Sequence, residues 1–176
     1  VAPSGATRLV PDEKDPSTIT LRADDGSVLA TLGRADSAGF ADRLAEELRK
    51  IARVQQLLAL RTGGDAANDP FPIALCVAPD GYRPTSCPTL QAGGVRKIRQ
   101  GELFTATVIN KGARPAYVYV LAIDPQNAVS PILPKPREFD RTQPYNRPYG
   151  REHMKMETPG AYRFVVLASA TPIRAD

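Results

Sequence analysis

Hydrolysis by a side-chain nucleophile needs a base beside it, and this sequence offers one imidazole for that role, His153. A Cys–His or Ser–His pair works only when the imidazole lies within hydrogen-bond reach of the nucleophile. The local run is Arg151-Glu152-His153-Met154-Lys155, with no Gly after the His. Cys76 stands between Leu75 and Val77, and Cys87 between Ser86 and Pro88, neither in a small-residue elbow. His153 is therefore read as an exposed loop histidine, and no catalytic residue is assigned. Two cysteines, one His and scattered carboxylates make no zinc pattern either. GxGxxG, P-loop, HExxH and calcium-loop spacings are all missing, so neither a metal nor a cofactor is expected.

Cys76 and Cys87 flank a Pro/Gly loop, and two readings stay open for them. A disulfide between them would close the loop, stabilise the fold by about 3 kcal/mol and imply an exported or periplasmic setting. Otherwise Cys76 is a buried strand thiol and Cys87 a loop thiol.

The elements that would have to position any site are mostly strands. The 176 residues suit one domain, or a domain with a substantial N-terminal extension, and the 42% hydrophobic content supports an ordinary core. There is no Trp and the aromatic content is 6%, so aliphatic side chains supply that core. A net charge of +4 permits an acidic partner without demanding one. No apolar run approaches the roughly 20 residues that span a bilayer. A start at Val1 without Met or signal pattern reads as a piece of something longer.

Residues 1–16 are polar and expected to be extended. Ile19-Thr20-Leu21 and Val28 to Leu32 flank Ala23-Asp24-Asp25-Gly26, a hairpin signal. Phe40, Leu44, Leu48, Ile51, Val54, Leu57 and Leu58 recur at helical spacing, with Asp36 or Ser37 as cap and Gly63-Gly64 as stop. The opposite face pairs Arg43 with Glu47 and Glu46 with Lys50, and reads as a solvated surface. Residues 63–70 form a linker-like break. Strands follow at Ile73–Val77, Leu103–Ile109, Tyr117–Ile123, a short run through Val129, Ile132 and Leu133, and Tyr162–Ala168. The strand at 117–123 is apolar on both faces and belongs centrally.

The expected fold is α+β and mainly β: an antiparallel, Ig-like β-sandwich over 69–176, preceded by a linking region over 1–68 with a β-hairpin and one long amphipathic helix. Lys135–Lys155 reads as a long surface loop with six basic residues, three acidic residues and two tyrosines. Neither an RNP nor a zinc-finger pattern accompanies those charges, so no nucleic-acid partner is assigned.

Residues 101–168 resemble a bacterial domain of unknown function commonly found C-terminal to caspase-like (clan CD) cysteine peptidase domains. The resemblance rests on Gly101-Glu102-Leu103-Phe104 and Ala116-Tyr117-Val118-Tyr119-Val120-Leu121. It continues through the turn Asp124-Pro125-Gln126-Asn127-Ala128-Val129, Ile132-Leu133-Pro134, and Pro159-Gly160-Ala161-Tyr162-Arg163-Phe164-Val165-Val166 leading to Leu167-Ala168-Ser169. The family carries Gly in the turn where this chain has Asn127-Ala128, and often Phe where this chain has Leu133.

The resemblance implies a non-catalytic accessory module with a caspase-like peptidase domain in cis, acting in substrate or partner recruitment or autoinhibition. A free-standing, envelope-associated binding protein is the alternative. No peptidase residue carries over, because the His-Gly and catalytic-Cys motifs are missing. For contact, Tyr145, Arg147, Tyr149 and Arg151 stand first, since Tyr and Arg dominate binding hot spots. A core role anchoring the loop is equally open for Tyr149.

Overall fold

The computed structural model describes residues 7–60, 70–78, 89–90, 95, 97–134, 142–143, 148–155 and 158–173. Strands dominate, with one helix and three antiparallel sheets. By its internal contacts the chain divides into two units: Val1–Leu60 with Ile123–Val129, and Arg61–Ala122 with Ser130–Asp176.

In the first unit, β1 (Thr7–Pro11), β2 (Thr18–Ala23) and β3 (Val28–Arg34) form a meander with β2 in the middle. The expected hairpin is β2–β3, turning at Gly26. The stretch expected only to be extended contributes β1, which pairs Leu9 with Leu21 and Val10 with Thr20. Thr20 and Leu21 point to opposite faces, yet both are buried, so both faces of β2 are covered. The Thr20 hydroxyl donates to the Val10 carbonyl at 3.0 Å, which makes its burial tolerable. Between β1 and β2 the Asp15 carboxylate accepts from Ser17 and Thr18. Those bonds, the Ser17 hydroxyl foremost, hold its pKa below the usual carboxylate value.

The helix α1 (Phe40–Ala59) starts later than expected and without a side-chain cap. Gly39 sits at the N-cap with φ 76°, a left-handed conformation that suits glycine. The two expected caps are otherwise engaged. Asp36 binds Arg34 through both oxygens at 3.0 and 3.1 Å, and Ser37 donates to the Arg34 carbonyl at 2.6 Å. Arg43 leaves its expected partner Glu47 and reaches back to the Leu32 carbonyl (2.8 Å) and the Ser37 hydroxyl (2.7 Å), clamping the β3–α1 connection. Glu47 pairs instead with Lys50 at 2.7 Å, with Glu46 3.5 Å away. Of the apolar stripe, Val54 alone is buried, whereas Leu48 is 42% exposed. The stop expected at Gly63-Gly64 lies outside the described residues; the helix ends at Ala59.

Apart from Ile123 and Val129, which count with the first, the second unit holds β4 (Ile73–Ala78), β5 (Thr89–Leu90), β6 (Leu103–Ile109), β7 (Ala116–Ile123), β8 (Val129–Leu133), β9 (Thr142–Gln143), β10 (Pro148–Lys155) and β11 (Arg163–Ser169). Its sheets run β10-β6-β4-β5 and β11-β7-β8, with β9 on the start of β7. Along β6, Phe104, Ala106 and Val108 alternate inward; along β7, Ala116, Val118 and Val120 do. All of these except Ala116 meet Leu75, Ile132, Leu133, Tyr149 and Met154 in one cluster that takes residues from both sheets. Across it the rings of Phe104 and Phe164 meet edge to face, centroids 6.1 Å apart. Two sheets packed on one aliphatic core follow from the alternation, and β7 takes the central place its two apolar faces require.

Asn110, buried at 1% exposure, organises the β6–β7 turn. Its amide donates to the Arg114 carbonyl at 2.9 Å and its oxygen accepts from Gly112 N–H at 2.8 Å.

Candidate functional site

The region singled out for contact is the run that ends in β10. Tyr145, Arg147 and Cys87 lie outside the described residues, as do the side chains of Arg151 and His153. Tyr149, for which contact and anchoring both stood open, occupies the core at 7% exposure.

What the sequence shows as a loop through Lys155 therefore closes in a strand. Tyr149 pairs with Val108, Gly150 with Thr107 and Arg151 with Ala106. The register then shifts before Met154, which pairs with Phe104 and is also buried. Glu152 and His153 fall in that bulge, opposite Thr105. A β-bulge bends an edge strand and re-aims the residues around it. Here it also brings Met154 onto the face that Tyr149 already occupies, five positions away rather than an even number.

Thr105 pairs on its other side with Cys76 of β4. The chain's only His and Cys76 thus share one row across the sheet, two strands apart. Strand spacing puts about 9–10 Å between their backbones. Cys76 is 1% exposed and disulfide-bonded, so it carries no thiolate. The sequence has one other cysteine, Cys87.

Among the described residues no group of three or more His, Cys, Asp and Glu is placed to hold a metal ion, and no helix is long and apolar enough to cross a membrane. Every buried side-chain nitrogen and oxygen among them has a hydrogen-bond partner. Three structural residues had weak signals in the sequence. Asn110 follows the strand Leu103–Ile109 with nothing to mark it as a buried amide. Arg43 looked like a surface charge. Gly150 gave no sign of its tight seat, where an added Cβ would lie 2.8 Å from the Ala106 carbonyl oxygen.

No protein-family profile matches the chain, and no curated protein or solved structure matches it.

Proposed function

We propose that this chain is a non-catalytic interaction module that works C-terminal to a bacterial caspase-like cysteine peptidase domain and recruits its substrate or partner. The observation that carries this reading is the backbone at the resemblance's own turn positions. Gly101, two residues before β6, has φ 83°, and Asn127 stands at φ 60° in the Asn127-Ala128 step where the family carries a Gly. Asn tolerates the left-handed region better than most side chains, so this step turns without a Gly. Asp124 supports the same turn, its carboxylate accepting from the N–H groups of Gln126 and Ala128 at 2.9 and 2.8 Å. The disulfide at Cys76 and the two-strand gap to His153 support a role through surfaces rather than bond cleavage.

We read the second unit as Ig-like. Its chain changes sheet between β6 and β7, between β9 and β10, and between β10 and β11, leaving β10-β6-β4 against β11-β7-β8. That order follows the A-B-E and F-C-C′ strands of such sandwiches. A second reading, a free-standing envelope-associated binding protein, is favoured by the disulfide, which persists in oxidising compartments.

The native polypeptide's intact mass separates the two. An upstream caspase-like domain supports the first reading; a signal peptide alone in that place overturns it. Within such a parent, deleting this module is expected to raise KM for a protein substrate several-fold. Cleavage of a short peptide should be unchanged, as should all activity of His153→Ala. A large loss of kcat in His153→Ala would sink the non-catalytic assignment.

A further inference from the structure

Each sheet edge in the fold except one carries a feature that discourages pairing with another chain. In β1 these are Arg8 and Pro11; β3 runs against β2 with two register shifts. Only two residues make up β5, and likewise β9. Pro131 lies inside β8, while β10 has Pro148, Lys155 and its bulge. The exception is β11. After Arg163 it reads Phe164-Val165-Val166-Leu167-Ala168-Ser169, with no Pro, Gly or charge. It ends the sheet β11-β7-β8, and among the described residues no strand pairs its outer side. The chain that follows, which could have covered that edge, turns across the sheet instead. Thr171 N–H donates to the Ser169 hydroxyl at 3.2 Å, and Ile173 N–H to the Tyr119 hydroxyl of β7 at 2.9 Å.

We propose that β11 is a dimerisation edge, on which a second copy of this chain adds its own β11 antiparallel about Val166. The sequence is self-complementary in that register. Val166 meets Val166, Val165 meets Leu167, Phe164 meets Ala168, and Arg163 meets Ser169. Large side chains fall opposite small ones, and no like charges oppose each other. The paired positions keep one parity, so Phe164 and Val166 stay on the core face in both copies and the two sheets fuse into one. A two-fold operator of this kind closes on itself and uses up the β11 edge of both copies.

The register gives the test. In Ser169→Lys each dimer gains two like-charge pairs with Arg163 of the other copy; in Ser169→Glu it gains two opposite-charge pairs. Both variants remove the hydroxyl that Thr171 N–H binds, and the salt dependence of the difference between them reports the charge pairing. Sedimentation equilibrium of the full chain, taken up to roughly millimolar where weak association registers, is expected to show a dimer. Ser169→Glu should associate about tenfold more tightly than Ser169→Lys, with the gap narrowing at high salt. Hydrogen exchange of the unaltered chain should show amides of 163–169 gaining protection as concentration rises. A wild-type chain that stays monomeric, equal association of the two variants, or a dimer whose β11 amides gain no protection would each overturn the proposal.

Discussion

At Gly150 a missing side chain lets an edge strand lie flat. A Cβ there would stand 2.7 Å from the Thr107 hydroxyl and 2.8 Å from the Ala106 carbonyl oxygen. The hydroxyl could swing away, but the carbonyl belongs to the β6 backbone and is held by its ladder. Gly150→Ala must therefore push β10 outward and loosen the seats of Tyr149 and Met154 on either side. We expect a loss of about 1–3 kcal/mol in urea unfolding, with the midpoint falling and the slope kept. A change within about 0.5 kcal/mol, the range of an ordinary surface substitution, would mean that the strand does not pass so close. Arg43 is the opposite case, a residue whose importance lies in what it reaches. Helical spacing pointed its guanidinium at Glu47, but the Leu32 carbonyl and Ser37 hydroxyl lie within its grasp and belong to the connection it must hold.

Among the elements, α1 shows how far periodicity carries. The stripe from Phe40 to Leu58 located the helix, yet spacing alone does not say how much of a stripe is covered. Val54 is 3% exposed and Leu48 42%. Removing two methyl groups in Val54→Ala should cost about 1–2 kcal/mol, whereas Leu48→Ala should stay within about 0.5 kcal/mol. Thermal unfolding of both variants checks this, and equal losses would show that the stripe is buried along its whole length. Strands β6 and β7 were legible because their alternation is unbroken. By contrast, β10 was not, for a physical reason: its bulge puts the two inward residues five positions apart, which matches neither period 2 nor 3.6. Very short β5 and β9 lack the length to show any period. At the helix start, a tertiary clamp outbid local capping. Asp36 had a better partner in Arg34, and a left-handed Gly39 took the N-cap.

For the whole molecule, the aliphatic core and the disulfide share the task of holding the second unit. That core holds the edge-to-face rings of Phe104 and Phe164 and is filled mainly by Leu, Val, Ile and Ala. A small β-rich unit exposes much of its surface relative to what it buries, so a cross-link has a large relative effect. Cys76 is bonded at 1% exposure on β4, a strand flanked by β5 and β6. Its burial predicts that an alkylating agent and mild reductant leave it untouched in the native protein, while denaturant plus reductant exposes two thiols per chain. Replacing both Cys76 and Cys87 by Ala removes the loop constraint on the unfolded chain and should cost about 3 kcal/mol in urea. It should leave Val54→Ala additive, since Val54 belongs to the other unit. If the double replacement is neutral, the aliphatic core alone holds the sheets together. The disulfide would then give no stability argument for the envelope-associated reading.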